Sequence, residues 1–148
     1  MTEVIGIDHI YIAVTDLVRS ELFYDRALQE VLGFRKNTFS LGGEAHIQYF
    51  NRHFGFVLRP ARRSDAHDSY SPGLHHFCFR VESEADVKAV AAKLADADIA
   101  ATEAKLHEEY APDYWATFFG DPDGIRLEIT NYRQERRARH DDWRQADI

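Results

Sequence analysis

Cysteine is almost absent: the chain has one, Cys78. A lone cysteine excludes an intramolecular disulfide and leaves no thiolate cluster for a structural zinc. Long apolar runs are missing too, since none approaches the roughly 20 residues of a membrane span. The opening stretch MTEVIGIDHIYIAV has neither a basic leader nor a small-residue cleavage site. Positive charge is in deficit, with 18 Lys and Arg against 25 Asp and Glu and a formal net charge of -7. That balance argues against nucleic acid or an anionic membrane as partner. The one basic run, Arg133–Arg139, is interleaved with Glu135 and followed by Asp141 and Asp142, so it reads as a solvated helix face. These absences lead to the expectation of a soluble, cytoplasmic protein with a small-molecule partner.

What is present suits one compact domain, or two small modules sharing a core: 148 residues, 45% hydrophobic and 13% aromatic. The most informative stretch is Phe118–Tyr132, FFGDPDGIRLEITNY. Asp-Pro-Asp-Gly is turn chemistry, with Pro122 fixing φ and Gly124 free to take a positive one. Beyond it the residues alternate. Ile125, Leu127 and Ile129 occupy one face of a strand, and Arg126, Glu128 and Thr130 the other. A carboxylate inside a strand is disfavoured, so Glu128 faces either water or a partner worth the cost.

In chain order, Ile5–Val14 alternates as a strand, and Thr15 or Asp16 caps a helix running to about Val31, stopped by Gly33. Three short strands are expected around Phe34–Phe39, His46–Asn51 and Gly55–Arg59. Ala61–Pro72 is polar and turn-rich, the best linker in the chain. The pattern then begins again: a strand over Leu74–Val81, a helix capped by Ser83 with Asp86 completing a capping box, and strands near Ile99–Leu106, Tyr114–Phe119 and Ile125–Asn131. His9 opens HIYIAV as His76 opens HFCFRV, and Asp16 and Ser83 follow at the same spacing. The reading is α+β: a βαβββ module over 1–60, a linker over 61–72, a second βαβββ module over 73–132, and a charged tail over 133–148 that is helical or partly disordered. Two such modules form a curved, partly open mixed-sheet barrel with helices outside.

In the strands carrying His9, His76 and Glu128, the opposite face is almost entirely aliphatic or aromatic. That face packs on the helices and turns the polar rows inward. Two imidazoles and one carboxylate make a three-ligand face for Fe2+, Mn2+, Ni2+ or Zn2+, and a cation would account for a buried Glu128. The plainer readings are a hydrogen-bonded histidine in each strand and a solvent-facing Glu128 paired with Arg126. His75 competes with His76 but falls on the apolar row, and Cys78 is next along the row from His76, lining the cup. Tyr11, Tyr49, Phe56, Tyr114, Trp115 and Phe119 are candidate walls for an aromatic or apolar substrate body, and Arg59, Arg80 or Arg126 could hold an anionic group.

Four stretches closely resemble the vicinal oxygen chelate superfamily, which includes glyoxalase I, extradiol dioxygenases, and fosfomycin- and bleomycin-resistance proteins. They are DHIYIAV at Asp8–Val14, DLVRSELFY at Asp16–Tyr24 with LGF at Leu32–Phe34, PGLHHFCFRV at Pro72–Val81, and DPDGIRLEI at Asp121–Ile129. The resemblance implies the metal ligands His9, His76 and Glu128. Bleomycin-binding members lack these ligands and bind without metal. Glyoxalase-like members usually add a fourth ligand on the first module's last strand. A gapless match of Gly55 to Gly124 sets Arg59 against Glu128 with Val57 two places earlier, and neither is a ligand. The resemblance therefore leans toward the three-ligand extradiol pattern, with a glyoxalase-like lyase or isomerase and a non-catalytic binding protein as alternatives. Extradiol enzymes also use a histidine and a tyrosine for proton transfer. The candidates here are His67 or His75 and Tyr114 or Tyr132. Paired-module members often form dimers, and the 133–148 tail is a candidate part of a homodimer interface.

Overall fold

A computed structural model describes residues 2–143. The chain divides into two compact units. One takes the chain up to Asp68 together with Asp121–Gly124, and the other takes Ser69–Gly120 and the chain from Ile125 on.

The first unit begins with β1 (His9–Val14), whose alternation buries Ile12 and Val14 and exposes Tyr11 and Ala13. Asp16 then caps α1 (Leu17–Tyr24) by accepting from the Arg19 amide at 3.0 Å. A single α-helix to Val31 is expected from the sequence. The backbone instead widens into a π-helical segment over Asp25–Val31. The widening starts at the residue whose carboxylate is held by Tyr49 Oη at 2.7 Å and by Lys36 Nζ. Gly33, at φ 70°, ends the helix. β2 (Arg35–Leu41), β3 (Glu44–Phe50) and β4 (Gly55–Pro60) follow, giving a sheet of order β1-β4-β3-β2 in which only the β1–β4 pair is parallel. The core is the helix-facing row: Tyr24, Leu28, Tyr49, Phe56 and Leu58 are fully buried. Each such side chain contributes roughly 1.5–3 kcal/mol by leaving water.

The DPDG turn packs with this first unit. Gly124 takes φ 81° and Gly124 N–H closes the turn on Asp121 O at 3.0 Å. Tyr24 Oη donates to Asp121 Oδ2 at 2.9 Å, both residues being buried. Asp123 accepts from the Thr15 amide at 2.9 Å, from the Thr15 hydroxyl, and from Arg19 at 3.1 Å. Thr15 thus grips the turn, and Asp16 alone caps the helix.

The second unit repeats the order. β5 (Phe77–Val81) starts later than its apolar pattern suggests, after a loop with Gly73 at φ 137°, because ladder pairing begins only at Phe77 against Leu127. Ser83 and Asp86 form the expected capping box of α2 (Glu84–Asp96), which buries Val87, Val90 and Leu94. The strand expected over 99–106 shrinks to β6 (Lys105–Leu106) and one bridge at Ala101. At Thr102 one backbone bond survives, its amide donating to Phe118 O at 2.8 Å, while its hydroxyl accepts from the Phe118 amide and its carbonyl accepts from Thr117 Oγ1 where a regular ladder would pair backbone with backbone. β7 (Trp115–Gly120) and β8 (Arg126–Asn131) complete a sheet of order β5-β8-β7-β6, with β5 and β8 parallel. The charged tail forms α3 (Gln134–Asp141), and the expected tail beyond Trp143 lies outside the described residues. The architecture is the expected α+β pair of βαβββ modules, each with a four-stranded mixed sheet. Among the described residues no helix is long and apolar enough to cross a membrane.

Candidate functional site

Glu128 stands in mid-strand on β8 and is only 3% exposed. Of the two readings open to a strand carboxylate, the structure takes the buried one. Arg126 does not pair with it; its guanidinium instead donates to Tyr70 Oη at 3.3 Å. One Glu128 oxygen accepts from Tyr114 Oη at 2.5 Å and the other lies 3.3 Å from His76 Nε2. Among the described residues no Lys or Arg forms an ion pair with it, and its polar company includes a phenol, an imidazole and the Cys78 thiol.

Parallel pairing sets Cys78 beside Glu128, and antiparallel pairing sets Phe118 on its other side, so all three share one face. Cys78 is an exposed residue, but partial desolvation of its thiol and the neighbouring carboxylate push it up to about 12, which keeps it neutral at ordinary pH. Burial, followed by the hydrogen bond to Glu128, raises the Tyr114 phenol well above its usual value. His75 and His76 face each other through their Nδ1 atoms at 2.8 Å, one donating and the other accepting, which leaves His76 Nε2 toward Glu128. The Tyr114 ring packs against Tyr110, and the Arg133 guanidinium lies 4.6 Å from its centroid.

His9 opens β1 in the first unit with its side chain half exposed. Asp8 Oδ2 holds its Nδ1 at 2.6 Å, and this fixes the tautomer that leaves Nε2 free as a ligand. An added Cβ at Gly55 would lie 3.1 Å from Gln48 Nε2 and 3.5 Å from His9 Cβ, so the glycine keeps the space beside His9 open. A polar, open groove of about 540 Å³ in this unit is lined by His9, Asp8, Lys36, Gln48 and His53. Among the described residues no three His, Cys, Asp or Glu side chains are gathered closely enough to hold a metal ion.

The remaining sequence candidates scatter. Tyr11 is on the exposed row of β1, its ring edge-on to His9 and His46. Tyr49 and Phe56 are fully buried on the helix side of their sheet, with the Tyr49 hydroxyl on Asp25, so neither walls a cup. Trp115 and Phe119 alternate to the α2 side of β7, with Lys88 4.3 Å over the Trp115 ring; Phe118 and Ala116 share the Glu128 side instead. Arg59 is ion-paired with Glu44, and Arg80 stacks on Tyr132 at 4.2 Å. The Tyr132 ring carries the guanidinium groups of Arg80 and Arg137. His67 sits in the 61–72 loop with its Nε2 buried and unpartnered.

Register also corrects the counterpart of Glu128. In the first unit Tyr11 pairs with Val57, and in the second Cys78 pairs with Glu128. Aligning His9 with His76 makes Tyr11 the counterpart of Cys78, so Val57 and not Arg59 stands where Glu128 does. A gapless match fails because β8 pairs two residues further along than β4. Either residue leaves that position without a metal ligand. Arg133, two residues past β8, belongs to a run that reads in the sequence as a solvated basic face, yet its guanidinium lies over the Tyr114 ring beside Glu128.

Residues 6–129 match the Glyoxalase/Bleomycin resistance protein/Dioxygenase superfamily, and the chain belongs to that superfamily. Among solved structures it is similar to a glyoxylase/bleomycin resistance protein/dioxygenase domain from Frankia sp. EAN1pec, at 27% identity and TM-score 0.71, covering 88% of this chain and 100% of that one. The fold is also shared with a lactoylglutathione lyase from Agrobacterium tumefaciens (20% identity, TM-score 0.61, 88% of this chain and 94% of that one). A fosfomycin resistance protein from Listeria monocytogenes shares it too (17%, 0.65, 91% and 99%). No curated protein matches the sequence. Members of the superfamily commonly use a divalent metal.

Proposed function

We propose that this protein is a divalent-metal-dependent enzyme whose small, oxygen-bearing substrate chelates the ion through neighbouring oxygens, with a lean toward extradiol-type ring cleavage. The observation that carries this reading is the buried Glu128 carboxylate beside His76 Nε2 at 3.3 Å, among the described residues without a basic side chain to balance it. His76 and Glu128 fit two corners of a three-ligand face. His9, held through Nδ1 by Asp8, fits the third, contributed by a second copy of the chain in a homodimer. When bound, the ion supplies Lewis acidity to the chelated oxygens. The chain's own residues do the rest. The neutral Tyr114 hydroxyl, already on Glu128, can donate to a substrate oxygen and take the proton back. Phe118 and Cys78 on the same face give the substrate body an apolar wall that keeps water from the carboxylate. Val57 at the counterpart of Glu128 supports three protein ligands over the four of glyoxalase-like members.

Metal analysis and oxygen uptake by the iron(II)-loaded protein with a catechol panel test the reading. Stoichiometric metal with uptake is the expected result. Metal without uptake, alongside turnover of a thiohemiacetal, would shift the assignment to a lyase, and absence of stoichiometric metal to a sequestering protein. Mixing His9→Ala and Glu128→Ala chains tests the source of the third ligand. A shared site regains one complete ligand set in the mixed dimer, whereas a site within one chain regains none.

A further inference from the structure

Arg133 has no role in the ligand set. It follows the DPDG strand as the residue before α3, and its guanidinium stacks 4.6 Å from the centroid of the Tyr114 ring, whose hydroxyl holds Glu128. Stacking occupies the flat face of a guanidinium and leaves its N–H edge unspent. Among the described residues its one ion pair is with Glu135, at a loose 3.9 Å and with that partner largely exposed. The Arg133 side chain is itself mostly covered, at 21% exposed. Of the other arginines near this sheet, Arg137 is on Glu82 at 3.2 Å and Arg126 is on Tyr70, and Arg80 stacks on Tyr132, not on the ring that holds Glu128. A planar, five-donor cation one aromatic ring away from the candidate ligands suits a planar, two-oxygen anion. We infer that Arg133 binds a carboxylate on the substrate, so that the site takes a carboxylated chelator in preference to a neutral one. This inference rests on the chelation reading above and narrows its substrate class.

The test has one arm that needs no metal. The full-length 15N-labelled protein is titrated with benzoate and with benzamide while the Arg133 Nε–Hε resonance, identified by its loss in Arg133→Lys, is followed. Benzoate is expected to shift that resonance and benzamide to leave it in place. Arg133→Lys, which keeps the charge but loses the fork, is expected to weaken benzoate binding about ten-fold without moving the thermal midpoint. No benzoate-specific shift, or equal benzoate affinity in wild type and Arg133→Lys, overturns the inference. In the second arm, metal-loaded protein is expected to bind 3,4-dihydroxybenzoate about ten-fold more tightly than catechol, and Arg133→Met to lose that preference. A protein that takes up metal yet shows no benzoate shift refutes Arg133 alone. A benzoate shift without metal uptake refutes the chelation reading alone.

Discussion

Replacing Tyr114 with Phe removes one hydroxyl and little else. The ring keeps its packing against Tyr110 and under Arg133, so the main loss is the 2.5 Å hydrogen bond to Glu128. Hydrogen bonds to charged groups contribute about 1.5–3 kcal/mol, and the upper half of that range applies where the acceptor is buried, as Glu128 is at 3% exposure. Metal-free Tyr114→Phe is therefore expected to lose about 2.5 kcal/mol of unfolding free energy, roughly a seventy-fold change in the unfolding constant. Urea unfolding in the presence of chelator, followed by far-ultraviolet circular dichroism, measures it. The same substitution is expected to lower zinc affinity by about 10–100-fold, because the phenol orients the carboxylate proposed as a ligand. In a Glu128→Gln background, where no charge needs the phenol, the stability cost should fall below about 1 kcal/mol. A Tyr114→Phe protein as stable as wild type, with unchanged zinc affinity, would refute the picture of a buried carboxylate dependent on this hydroxyl.

Two further outcomes follow from the same physics. Tyr24→Phe and Asp121→Asn break one bond that ties helix α1 to the DPDG turn, so their double-mutant cycle should show a coupling of about 1–3 kcal/mol in urea unfolding; additive effects would mean the bond is not made. Burial raises the phenols of Tyr24, Tyr49 and Tyr114, with hydrogen bonds to Asp121, Asp25 and Glu128 adding to it. Their contribution to stability is whole below about pH 10, the ordinary phenol value, and is lost as pH rises through the raised values. Absorbance at 295 nm should show these three ionising only with alkaline unfolding, and a smooth titration of all tyrosines in folded protein would contradict it.

How much the sequence reveals differs from element to element. Ser83 and Asp86 announce α2 because a cap is a local hydrogen bond between neighbours in the chain. The alternation of β1 and β8 is equally local, and with it the burial of Ile12, Val14, Leu127 and Ile129. By contrast, 99–106 has strand-like residues, yet at Thr102 two of the bonds to β7 pass through threonine side chains and only the amide keeps a backbone partner, which propensity does not register. Aromatic type marks Tyr49 and Trp115 as candidate cup walls, but strand parity puts both on the helix side of their sheets.

From sequence alone came the two βαβββ modules and the three ligand-type residues His9, His76 and Glu128, since periodicity, caps and motifs are short-range properties of the chain. Tertiary structure decided three things. Glu128 is buried against Tyr114 and His76; β8 is shifted so that Val57, and not Arg59, is its counterpart; and Arg133 stacks over the same tyrosine. Each depends on strand register or on a contact across the sheet, and register is set by which ladder hydrogen bonds form, a choice that no residue makes alone.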